Sequence, residues 1–181
     1  MSPVDTKHRI LEIAAELFAR QGYTGTTIAD IAAELGTTTA ALYYHFPSKQ
    51  AILTGLLARP LTAYTRLLDT VDEGGAAPED LIAALIDICA DSRDLATIFD
   101  RDPAALALID SQLPRSSATI TAETIAALTG PDPDHAALIR ASAALAVAKS
   151  ATLAALDMNG GTLPPTDRAE VIAAALRALK G

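Results

Sequence analysis

An all-α fold is what the sequence predicts, and three observations carry that expectation. Of the 181 residues, 39 are Ala and 24 are Leu, whereas Val and Ile together number only 18. Ala and Leu are the strongest helix formers, while strands favour β-branched and aromatic side chains, which are scarce here. Apolar residues recur at i, i+3, i+4 and i+7 along most of the chain, the period of a helix with one buried face. Gly, Pro and the capping residues Ser, Thr and Asp punctuate these stretches where helices should start and stop.

Each element follows from that pattern in turn. Ile10, Ala14, Leu17 and Phe18 form the stripe of a first helix, ended by Gly22. Thr27 opens a second, with Asp30 placed as its capping-box partner; Ile28, Ile31, Ala32 and Leu35 are its inner face and Gly36 stops it. Thr38 or Thr39 caps a short third helix through Tyr44, which Pro47 prevents from continuing. Ser48 caps a fourth, whose stripe runs from Ile52 through Leu57 and Tyr64 to Leu68 and Val71, ending at Gly74 and Gly75. Pro60 falls inside it and predicts a kink or a break. Helices are expected over 79–91, within 94–111 and over about 116–128, then a loop at 130–134. Asp134 caps a long helix to about residue 157, and a final helix spans 167–179 with Val171, Ile172, Ala175, Leu176 and Leu179 inward.

Composition narrows the function classes. A single Cys89 excludes an internal disulfide, and three His with one Cys make no zinc set, so no metal and no cofactor are expected. Neither a nucleophile–base pair with motif support nor a phosphate-binding Gly loop is present, which argues against an enzyme. The most apolar window, 141–156, is interrupted by Lys149, and residues 1–10 carry Asp5, Lys7 and Arg9 without an apolar run. The expectation is a soluble cytoplasmic chain without a membrane partner. The net charge of −8 counts at first against nucleic acid. Divided by region, that reverses. Residues 1–59 hold five basic and five acidic groups, so the whole excess lies beyond them, and five of the seven aromatic residues fall at or before Phe46. Two modules are expected, 1–48 and 49–181.

Residues 26–49 are the informative segment. Two short helices separated by a turn that Gly36 opens make a helix-turn-helix, with Ala32 small enough to let the helices cross closely and Leu35 and Leu42 closing the crossing. In such a motif the second helix enters the major groove of DNA by its N-terminal end. That places Thr38, Thr39, Ala40 and Tyr44 at the DNA, with Thr27 at a helix start and Tyr43, His45 and Lys49 reaching the backbone. The rival reading makes the tyrosines core, His45 a helix C-cap and Lys49 a solvated lysine.

The segment resembles the N-terminal domain of the TetR family of bacterial transcription regulators. Ile10 to Phe18 with Gly22 and Tyr23, Thr27 with Ile31 and Ala32, Leu35-Gly36, and above all Leu42-Tyr43-Tyr44-His45-Phe46 with Ser48-Lys49 carry the likeness, over roughly residues 7–53. The resemblance implies a homodimer with N-terminal DNA-binding domains and a helical C-terminal domain that binds a small-molecule effector. Members of this kind are usually repressors released from a palindromic operator. Thr37, Ala40 and Ala41 depart from the usual pattern, and the recognition helix then holds no Arg, Lys, Asn or Gln. Bidentate base contacts are therefore absent from it, leaving Thr methyls and hydroxyls, the Ala40 methyl and DNA shape, with Lys7 and Arg9 as further basic contacts.

Beyond residue 60 the signals are weaker. Tyr64, Cys89 and Phe99 are the sparse larger or polarizable residues for an effector pocket, against ordinary core. Asp87 and Asp91, with Asp94, Asp100 and Asp102 following, suit a cationic ligand or, better, a solvated acidic face. Ala137, Ala141, Ala144, Ala148, Ala151 and Ala155 repeat at heptad-like spacing, and the long helix is too long for the final one to cover. That predicts a four-helix dimer interface joined by Ile172 and Leu176 of the final helix. The alternative function is a helical small-molecule-binding or scaffolding protein that does not bind DNA.

Overall fold

The computed structural model describes residues 3–72, 76–95, 98, 102–111 and 116–181, and among these there is no strand. Nine helices are defined within them: α1 (Pro3–Gln21), α2 (Ile28–Leu35), α3 (Thr39–His45), α4 (Lys49–Asp72), α5 (Pro78–Asp91), α6 (Pro103–Asp110), α7 (Ser117–Thr129), α8 (His135–Met158) and α9 (Pro165–Lys180). The caps are those the sequence predicts. Thr27, Thr38, Ser116 and Asp134 each accept a backbone N–H three residues on, and Gly36 closes α2 in the left-handed conformation at φ 69°. The glycines at 74 and 75, expected to end α4, lie outside the described residues.

The chain divides into two compact units. The first comprises Met1–Arg59 with Asp94–Pro114, the second Pro60–Arg93 with Arg115–Gly181. The boundary thus falls eleven residues past the expected 48/49 junction, and a second stretch returns to the N-terminal residues. Nothing in the pattern of 94–114 marks that return. α4 continues through Pro60 without splitting, although the ring removes one N–H from its ladder.

In the first unit α2 packs on both α1 and α3. Ile10, Ala14, Leu17, Phe18, Ile31, Leu42, Ile52 and Leu53 are buried, the α1, α2 and α3 members being those the periodicity selected. Gly55 lets α4 pass close to α1 and the end of α3, since a Cβ there would lie 3.1 Å from Leu11 and 3.2 Å from Phe46. In the second unit α8 packs chiefly on α9, and α5 packs on both. Leu81, Ile82, Leu85 and Ile86 of α5, Leu128 of α7, Ala141 and Ala148 of α8, and Val171 and Ala175 of α9 form its core.

α8 is also long and apolar enough, by length and composition, to cross a membrane, with a mean hydropathy of 1.3 over its best window. Lys149 interrupts that apolar stretch. The alanine-lined face of α8 is spent in the core of this unit.

Candidate nucleic-acid interface

Thr27 and Asp30 close a full capping box at the start of α2. The Thr27 amide and hydroxyl both donate to Asp30 Oδ2, at 2.8 and 2.7 Å, and the Asp30 amide donates back to Thr27 Oγ1 at 3.1 Å. These bonds hold the Asp30 carboxyl below its ordinary range. The Thr27 hydroxyl is committed on both sides, and the other first-turn amides of α2 have no intrahelical partner.

α3 stands out from this base. Its N-cap Thr38 spends its hydroxyl oxygen on the Ala41 amide at 3.2 Å, and Leu42 faces inward with no exposure. Thr39, Ala40 and Ala41 are exposed, Tyr43 is 51% exposed and Tyr44 85%. The core alternative for the tyrosines therefore fails on exposure. His45 is half-buried, its ring edge-on to Tyr44 with centroids 5.2 Å apart.

Lys49 takes a place the sequence does not show. Its ammonium donates to the Tyr23 and Thr26 carbonyls, both at 2.8 Å, and sits 4.3 Å from the Tyr23 ring centroid. Burial lowers its pKa, and the negative charge of Asp102 opposes the shift. The cation at the start of α4 finds its compensation in the 22–27 loop. Thr26, wholly buried, donates to the carbonyls of Gly22 and Leu17 at 2.9 and 3.3 Å. Just ahead of α6, Asp102 Oδ2 accepts the Thr24 amide at 2.6 Å. That bond is the main reason its carboxyl titrates below the ordinary value. Burial, helped by Asp102, pushes the Tyr23 hydroxyl upward.

The loop that leads into α2 is thus tied from α1, α4 and α6 at once. The sequence offers Tyr23 only as part of the family likeness and Asp102 only as one of a run of acidic residues, and Thr26 carries no signal of its own. Asp102 before Pro103 does carry a helix-start signal, but no sequence feature pairs it with Thr24 across 78 positions. Lys7 lies 5.9 Å from the Phe46 ring centroid and, like Arg9, is exposed.

In the second unit, Tyr64 and Cys89 are half-buried and close enough for the Cys89 charge to act on Tyr64. Burial raises the Tyr64 hydroxyl first and Cys89 adds to it; burial likewise raises the Cys89 thiol, against the pull of Lys149. Phe99, the third expected pocket residue, lies outside the described residues. A cleft of about 350 Å³ opens elsewhere, lined by Asp87, Ala90, Asp91, Leu156, Gly161, Leu163 and Arg168. Arg168 grips Asp87 there with two bonds of 2.7 and 2.6 Å, so Asp87 is a paired carboxylate in an ion pair at the surface.

The alanine seam is committed inside the chain. Ala141 and Ala144 have no exposure, Ala148 and Ala155 have 3% and 4%, and Ala151, Ile172 and Leu176 pack half-buried at the edge of the core. Small side chains let α8 approach α5 and α9 of its own subunit, which is the physical reason the seam is not free for a partner. Ala137 is half-buried, while Leu138 and Ile139 are 38% and 57% exposed.

Residues 10–56 match the family model described as bacterial regulatory proteins, tetR family. The chain is 36% identical over 81 residues to the putative mycofactocin biosynthesis transcriptional regulator MftR of Mycobacterium tuberculosis, covering 45% of this chain and 41% of that one. It is 48% identical over 46 residues to the biofilm operon icaADBC HTH-type negative transcriptional regulator IcaR of Staphylococcus aureus, 25% of each chain. These matches span less than half the length of either relative. Over nearly its whole length the fold is similar to that of a TetR-family transcriptional regulator from Bordetella parapertussis, with a TM-score of 0.58, 28% identity and coverage of 97% and 92%.

Proposed function

We propose that this chain is a regulator of the TetR family, a homodimeric repressor that a small-molecule effector releases from a palindromic operator. The observation that carries the reading is α3: from Thr39 to Tyr44 every residue but Leu42 is exposed, and the helix packs on α2, whose leading loop is tied from three sides. Tyr44 is 85% exposed and touches only the neighbouring His45 ring among the described aromatic contacts, so core packing does not account for it. In a helix-turn-helix this helix enters the major groove, with Thr38, Thr39, Ala40 and Tyr44 at the bases or nearest backbone and Tyr43 and His45 at phosphates. Thr27 caps the helix whose amides meet a phosphate, and Lys49 acts by fixing the loop ahead of it.

The C-terminal region, 49–181 in functional terms, supplies dimerisation and effector binding in this reading. Tyr64, which packs against the core of the second unit, and the half-buried Cys89 line the effector pocket in this reading. Ala137, Ala151, Ile172 and Leu176, with the exposed Leu138 and Ile139, remain for a second subunit. The protein acts without a cofactor, in the cytoplasm. The acidic excess beyond residue 60 restrains non-specific binding, because like charges are felt over roughly 8 Å at physiological salt.

Selection of bound fragments from random duplex DNA by the full-length chain tests the reading. The expected product is a palindrome with half-sites about one helical turn apart, bound more weakly as salt rises. Failure to enrich any sequence favours the helical small-molecule-binding or scaffolding alternative.

A further inference from the structure

The exposed surface of α3 and its leading turn carries no charge and no amide. From Thr37 to Tyr44 every side chain but Leu42 is exposed, and all are methyl-bearing or aromatic. The structure narrows the polar groups further. The Thr38 hydroxyl oxygen is held by the Ala41 amide, His45 is half-buried against Tyr44, and the Lys49 ammonium is bonded to the Tyr23 and Thr26 carbonyls. The forks that read guanine through O6 and N7, or adenine through N6 and N7, come from Arg, Lys, Asn and Gln, and none stands on this helix. Thymine alone among the four bases presents a methyl group in the major groove, and apolar side chains recognise it by covering it.

We infer that the α3 surface selects an A·T-rich half-site by covering thymine C5-methyl groups, with the Ala40 methyl as the principal contact and the Thr39 methyl beside it. The inference rests on the reading of α3 as the groove-entering helix and adds the chemistry by which that helix distinguishes bases. Ala40 lies in the first turn of α3, at the end that enters the groove, and its short side chain brings the helix backbone close to the base edges. Burying one methyl is worth about fourfold in affinity by the area-transfer scale. Each thymine read in this way is therefore a measurable position.

The test uses the full-length chain and the duplex recovered from random-sequence selection, resynthesised with deoxyuridine replacing thymidine one position at a time. That exchange removes the C5-methyl and leaves base pairing unchanged. Expected are an A·T-rich half-site and about a fourfold loss at one or more thymines in each half-site. An Ala40→Gly variant binds the thymidine duplex less well, and at its own thymine it no longer distinguishes the deoxyuridine duplex. The comparison of the two duplexes cancels any loss of helix stability from glycine. A G·C-rich selected half-site, or uniform indifference to deoxyuridine, overturns the inference while leaving DNA binding intact. Failure to select any site overturns the repressor reading and this inference with it.

Discussion

Asp102 and Thr24 stand 78 residues apart in sequence, and one carboxylate oxygen of Asp102 accepts the Thr24 amide at 2.6 Å. The same residue stands at the head of α6, where its backbone carbonyl accepts the Ala105 amide at 2.9 Å. The bond to Thr24 fastens the start of α6 to the loop that precedes α2. Gly22 belongs to the same arrangement: its φ is +80°, and a Cβ there would lie 3.6 Å from the carboxylate.

Replacing Asp102 with Ala should cost about 1.5–3 kcal/mol of stability, the range for a hydrogen bond to a charged group. Asp102→Asn keeps an acceptor oxygen and should lose less. Denaturant titration of the three proteins gives the ranking, and equal midpoints would contradict it. Both variants should also weaken operator binding, since the loop they loosen positions the start of α2.

The pH dependence has a definite sign. The folded-state pKa of Asp102 is lowered, so its contribution is complete above the ordinary carboxylate value near 4 and is lost as pH falls through the lower folded value. The wild-type protein should therefore lose stability with acid more steeply than Asp102→Asn below about pH 4. Parallel stability curves for the two would show that Asp102 is not so held.

Lys49 tests the assignment of its ammonium to the loop. Lys49→Met keeps the apolar stem and removes both bonds to the Tyr23 and Thr26 carbonyls, and should destabilise the protein by about 1–3 kcal/mol. Its DNA binding should weaken while the logarithmic salt slope stays near the wild-type value. A slope lower by about one unit would instead mean that Lys49 itself neutralises a phosphate.

Opposite faces of α8 should respond differently. Ala144→Leu adds volume at a position without exposure and should cost about 1–3 kcal/mol by overpacking. Ile139→Asp alters a residue 57% exposed, so helical content should persist while the dimer dissociates in sedimentation. A monomeric wild-type chain at micromolar concentration would end the dimer assignment.

Much of the fold was legible because helices report themselves locally. Thr27, Thr38, Ser116 and Asp134 announced helix starts through short-range bonds, and Ile10, Phe18, Ile31 and Leu42 announced burial through period. Long-range pairing carries no such mark, so Asp102 with Thr24 and Lys49 with Tyr23 emerged only in three dimensions. The alanines of α8 show the limit from the other side. A seam of small residues states that a helix can come close, and it does not state whether that helix belongs to the same chain. Lys49 teaches a similar lesson: a cation at a helix start needs compensation, and two carbonyls of its own chain supply it.

Tyr44 isolates the central claim, because it is 85% exposed and its removal should leave stability within about 0.5 kcal/mol of wild type. The most direct measurement is a fluorescence-anisotropy titration of the selected palindromic duplex with the wild-type chain and with Tyr44→Ala, each checked for equal thermal stability. The account predicts saturation at two chains per duplex and about a tenfold weaker Kd for the variant, the loss of one good contact of about 1.4 kcal/mol. Equal affinities for the two proteins, or the same Kd for the palindrome and a scrambled duplex, would contradict it.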